Sequence, residues 1–221
     1  IFNIVVLLIA LFIAGYSWRV YKISKENKFA YFSFAFVLIG LAFLAKVVTF
    51  ANLYFRPVRE TVYQVLLPVT HGQVVFMDLF YRLGFITQMA CMLGALLLIF
   101  LVSQKSRQRL HRFHEISQIG LFVYLIGLIS ILATFKYFVF PLTSAVLLSL
   151  IVLNYYKNYL NSNKNKNSYY VMVAFLLLLL SQLFFIFVHI NNGAYFFAEV
   201  FLLMGFLLIL KVYGKVTRRK N

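Results

Sequence analysis

Acidic residues are scarce in this chain. It has 5 Asp and Glu in 221 residues, against 21 Lys and Arg. None of the five (Glu26, Glu60, Asp78, Glu115, Glu199) falls at the middle of an apolar run. That argues against an ion-coupled transporter, whose relay needs ionisable groups at depth in the membrane. Charged residues of both signs reach only 12%, whereas a soluble domain carries about 25%. The single cysteine, Cys91, excludes a disulfide within the chain and any Cys-based metal site. It reads as a small apolar residue rather than a reactive thiol. The sequence also lacks a Gly-rich phosphate loop, a Ser nucleophile elbow and an HExxH pair. An enzyme is therefore the less favoured class.

What is present is apolar surface. Hydrophobic residues make up 63% of the chain and gather in runs near 20 residues, the length that spans a bilayer as helix. Closed barrels need short alternating segments instead, so the expected fold is an all-α membrane protein. Seven spans are expected, near residues 1–18, 29–53, 78–102, 117–135, 138–156, 169–190 and 194–213, forming one transmembrane domain. The first run has basic residues after it and none before it, unlike a cleaved signal, and counts as a span.

The basic residues alternate. Sixteen of the 21 cluster in every second gap between runs and in the tail: Arg19 to Lys28, Lys105 to Arg112, Lys157 to Lys166, and Lys211 to Lys220. The other five are Lys46, Arg56, Arg59, Arg82 and Lys136. Short-loop Lys/Arg bias sets orientation, which places the amino end outside and the carboxyl end in the cytoplasm of a multi-pass cell-membrane protein. The net charge of +16 thus faces anionic headgroups, with Arg107, Arg109 and Arg112 as their contacts. Nucleic acid is rejected as a partner because no module remains to present a basic face to it.

The longest gap, on the outer side, carries Pro57 and Pro68 around Val58, Val62, Val65 and Leu66 at helical spacing. A short interfacial helix is expected near residues 57–67. Small residues spaced four or seven apart (Ala90 and Gly94, Gly120 and Gly127, Ala145 and Ser149) are candidates for close helix contact. Tyr54, Tyr155, Tyr156, Tyr169, Tyr170 and Tyr213 fall at span ends, where amphipathic rings sit at the headgroup level.

Mixed chemistry concentrates at the outer ends of the spans. Lys46, His71, Asp78, Arg82, His189 and Glu199 are the candidate pocket for a small polar ligand or a headgroup. The tight turn at Asn191, Asn192 and Gly193 brings the sixth and seventh spans together, so His189 and Glu199 approach one another. Asp78 and Arg82, four apart, share a helix face. Glu199 is the foremost candidate, because a carboxylate below the interface needs a partner. The competing reading has all six pairing or snorkelling at the headgroups. His71, Asp78, His189 and Glu199 lack the spacing of a ligand motif, so no metal site is assigned and no cofactor is implied. Retinal proteins share the seven-span plan but need a mid-span Lys in the last helix and a deep carboxylate in the third. Here Lys211 and Asp78 sit at span ends, so that pattern is missing.

The leading functional expectation is a non-enzymatic, sensor- or receptor-like seven-helix module with an outward pocket, acting through a partner protein or a second copy. The alternative is a structural or accessory subunit of a larger membrane assembly. An uncoupled transporter or channel ranks third, and an enzyme acting on lipid fourth.

Overall fold

The structure is a computed structural model. It describes residues 2–55, 60, 75–104, 125–127, 129, 132, 138–161, 166–188, 190–191 and 193–219. These residues form six long helices: α1 (Phe2–Ser24), α2 (Asn27–Tyr54), α3 (Val75–Ser103), α4 (Val139–Asn161), α5 (Lys166–Phe187) and α6 (Gly193–Arg219). All six are long and apolar enough to cross a membrane. Residues 125–127, 129 and 132, inside the expected fourth span, are also helical. The rest of that span and the expected interfacial helix lie outside the described residues, apart from Glu60, which is helical and exposed.

The helices outrun several apolar segments. α1 continues past Trp18 through Arg19 and Lys22, and α4 continues through Lys157 to Asn161. Intrahelical hydrogen bonds satisfy the backbone at any depth, while long basic side chains extend to water, so hydropathy marks the hydrocarbon and not the end of the helix. The α1–α2 turn is very short. Lys25 adopts φ 57°, and its N–H donates to Tyr21 O at 2.8 Å. This is a left-handed helix cap made by a residue other than glycine.

Neighbouring helices form a closed ring: α1 packs on α2, α2 on α3, α3 on α4, α4 on α5, α5 on α6, and α6 back on α1. Directions follow from side-chain contacts. Ser33 Oγ donates to Ala14 O, so α1 and α2 are antiparallel. Tyr155 stacks on Phe175, and Phe184 stacks on Phe201, which makes α5 antiparallel to both α4 and α6. Phe2 meets Phe196 edge to face, so α1 and α6 start at the same end. The α3–α4 pair is parallel. Asn154 Nδ2 donates to Ser103 Oγ (3.0 Å) and Asn158 Nδ2 to Ser103 O (3.3 Å), joining their carboxyl-terminal ends. Arg19, Lys22, Lys25, Lys28, Lys157, Lys166, Lys211 and Lys215 consequently share one end of the bundle. Lys46 and Arg82 belong to its opposite half.

The core is aromatic. Phe206 stands edge-on to both Phe36 (6.2 Å) and Phe43 (6.1 Å). With Phe175, Leu96, Leu148 and Ile151 it fills the middle and basic half of the bundle. Tyr155 and Tyr213, expected at the headgroups, instead stack inward on Phe175 and Phe32. Stacked in this way, each ring buries a large apolar area against its neighbour.

Close helix approach occurs at glycines other than the candidates. A Cβ on Gly205 would lie 2.7 Å from Leu178 Cδ2 and 3.0 Å from Ala174 O, and one on Gly84 would overlap Thr49 Oγ1. At Gly94 the nearest described atom would be Leu38 Cδ1, 4.0 Å away, and at Gly127 no atom of the described residues lies within 4 Å, while Gly120 lies outside them. Ala145 is buried, whereas Ser149 satisfies its hydroxyl on its own helix at Val146 O. Small-residue spacing alone does not reveal which face meets a neighbour.

Candidate functional site

Lys46 lies on the inward face of α2, in register with the buried Phe32, Phe36, Ile39 and Phe43 at three- and four-residue steps. Glu199 occupies the matching face of α6, in register with Leu202, Phe206 and Ile209. The helices are antiparallel and each residue lies six positions from the end of its candidate span away from the basic clusters. At the α-helical rise this is about 9 Å. The register brings Lys46 Nζ to 3.1 Å from Glu199 Oε1. Their side chains are 11% and 3% exposed. This is a desolvated ion pair, with the Lys46 ammonium turned into the bundle toward Glu199.

Two rings flank the ammonium. Lys46 Nζ sits 5.9 Å from the Phe43 ring centre and 5.7 Å from that of Phe185 on α5. Each ring face is attractive to a cation, worth roughly 0.5–2 kcal/mol according to desolvation. Glu199 Oε2 has no hydrogen-bond partner among the described residues.

The pair adjoins a cavity of about 150 Å³ between α2, α3, α4, α5 and α6. Its apolar wall includes Phe50, Phe85, Met89, Met92, Phe140 and Pro141, and its polar groups include Lys46, Gln88 and Gln182. Gln182 is 4% exposed, and its Oε1 is without a partner among the described residues. Ala42, Met92 and Leu202 line the deep end. Beyond them Phe36, Phe206 and Leu96 close the core.

Of the six sequence candidates, Lys46 and Glu199 come together. Arg82 is exposed on α3, outside the cavity lining. Asp78 is in the first turn of α3, one turn before Arg82, and its side chain lies outside the description. His71 and His189 lie outside the described residues, as do Arg107, Arg109 and Arg112. The described partner of Glu199 is across the bundle, 153 residues away in sequence, on a helix that the tight α5–α6 turn does not involve. Among the described residues no three His, Cys, Asp or Glu side chains gather to hold a metal.

Gln88 and Gln182 escaped the sequence reading. A signal existed, since each is an amide inside a long apolar run, and buried amides in a membrane are costly unless paired. The flanking rings had none, because Phe is the commonest aromatic here, with 26 copies.

No protein-family model, curated protein or solved structure matches this chain.

Proposed function

We propose that the chain is a non-enzymatic, receptor-like membrane module that binds a small molecule in the outer cavity and acts through a partner protein. The observation that carries this is the buried Lys46–Glu199 pair beside a cavity of about 150 Å³. A mostly apolar pocket with a few convergent polar groups is the usual form of a small-molecule site. The packed apolar core beneath it, with Phe36, Phe206 and Leu96, favours a closed pocket over a conduit. A ligand that hydrogen-bonds Lys46 alters the contact tying α2 to α6, and α6 runs on to the basic end of the bundle.

Seven spans and the orientation belong to the same proposal. Because α3 and α4 are parallel, the chain between Ser103 and Phe138 has to return once across the bundle. A crossing near residues 117–135 supplies that return, and its helical residues 125–127, 129 and 132 support it. The shared basic end faces the cytoplasm of the cell membrane by the Lys/Arg bias, leaving the amino end and the cavity mouth outside. Arg107, Arg109 and Arg112 join the basic residues that meet anionic headgroups.

The test is a small-molecule screen by thermal unfolding of the protein in lipid nanodiscs. Wild type and the cavity-filling Met89→Trp are compared, and mild-detergent extraction is used to identify co-purifying chains. Compounds that stabilise wild type and leave Met89→Trp unmoved are expected. A screen that stabilises neither, with the chain held in a fixed stoichiometric assembly, would replace this reading with the accessory-subunit one.

A further inference from the structure

The cavity's own chemistry narrows what it takes, given the binding role proposed above. Three properties decide the class. The first is charge. Lys46 and Glu199 neutralise each other, so the site is neutral among the described residues. An ionised ligand would bring an unpaired charge into a desolvated pocket, which is strongly unfavourable. The second is size. A cavity of about 150 Å³ matches the volume that accepts a molecule such as benzene. The third is the set of free hydrogen-bonding capacities. An ammonium has three donors, and the described ion pair uses one on Glu199. Gln182 Oε1 is an acceptor with no partner among the described residues, and both side chains line the same cavity.

A hydroxyl group can serve both needs at once, since it accepts from Lys46 and donates to Gln182 Oε1. The remaining wall, with Phe43, Phe85, Phe185, Met89 and Met92, suits a flat apolar ring. Sulfur and aromatic edges both pack well on ring faces. We infer that the cavity binds an uncharged, hydroxyl-bearing ring of the phenol class. The ring arrives either as a free solute or as the head of a lipophilic molecule within the bilayer.

The experiment uses the full chain in nanodiscs and fluorine NMR of 4-fluorophenol, fluorobenzene and 4-fluorobenzoate. Met89→Trp serves as the blank for partitioning into lipid, and Leu202→Phe, a smaller filling, serves if Met89→Trp does not fold. Saturable binding of 4-fluorophenol is expected in wild type, with fluorobenzene about tenfold weaker and 4-fluorobenzoate absent. Gln182→Leu is expected to bring 4-fluorophenol down to the fluorobenzene level and to leave fluorobenzene unchanged. Competition by a long-chain 4-alkylphenol identifies a membrane-borne ring, and its failure to compete identifies a free one. Equal binding of 4-fluorophenol and fluorobenzene with Gln182→Leu neutral, or binding of 4-fluorobenzoate alone, overturns the class and leaves the binding module standing. If no ring saturates but other screened compounds stabilise wild type, the class again falls by itself. If nothing binds at all, both fall together.

Discussion

Breaking the Lys46–Glu199 pair from one side should cost far more than replacing both partners. At 3.1 Å, two unit charges attract by roughly 5 kcal/mol at an effective dielectric near 20, against about 1 kcal/mol in bulk water. Burying each ion costs several kcal/mol, so the intact pair is close to neutral relative to apolar side chains of similar volume. Removing one partner leaves the desolvation cost of the other uncompensated. Glu199→Leu strands the ammonium between the rings of Phe43 and Phe185, which offset only part of the loss. Lys46→Met strands the carboxylate, which those ring faces do not attract. Each single variant is expected to lose about 3–5 kcal/mol, and the double variant Lys46→Met/Glu199→Leu to stay within about 1 kcal/mol of wild type. Reversible unfolding in mixed micelles by titration with a denaturing detergent reads all four corners of the cycle. The expected coupling is several kcal/mol, well above the roughly 0.5 kcal/mol within which independent sites add. Single losses below about 1 kcal/mol that simply add would be the behaviour of a solvated pair, and would refute the burial on which the site rests.

Two further outcomes follow from the packing. Gly205→Ala is expected to lose about 1–3 kcal/mol, since its Cβ would crowd Leu178 and the Ala174 carbonyl. Gly94→Ala, with nothing closer than 4.0 Å, should lose nothing, and thermal unfolding of the two variants side by side checks the contrast. At the α1–α2 turn, Lys25→Gly relieves a left-handed backbone at φ 57° and should gain about 0.5–1 kcal/mol. An unchanged or lowered midpoint would show that the Lys25 side chain compensates its backbone.

Several features were legible in the residues because they depend on local pattern. Runs of apolar residues near 20 long identify helices for the bilayer, since only an intrahelical ladder satisfies the backbone there. The basic clusters mark one end of the bundle in the same way, through the sign of short loops. Glu199 stood out because a carboxylate within an apolar run needs a partner. Its partner was not legible. Lys46 looked like an outer-end residue able to snorkel, and the nearest acid or base in sequence was a more obvious mate for Glu199. Small-residue spacing likewise pointed to Gly94 and Gly127, where no described atom would come closer than 4.0 Å to an added Cβ, and passed over Gly84 and Gly205, where one would crowd it.

The sequence by itself determined which segments are apolar enough to cross a membrane, which end of the bundle is basic, and that Glu199 required an answering group. Only the tertiary structure decided that α2 faces α6 across the ring and that α3 and α4 run parallel. It alone decided that Lys46 pairs with Glu199 and shares one cavity with Gln182. The physical reason is the uniformity of the apolar faces. Within lipid, hydrophobicity gives helices little preference among neighbours, so pairing follows from the close fit of side chains such as Leu178 over Gly205 and Phe206 against Phe36. That fit exists only once the helices have assembled.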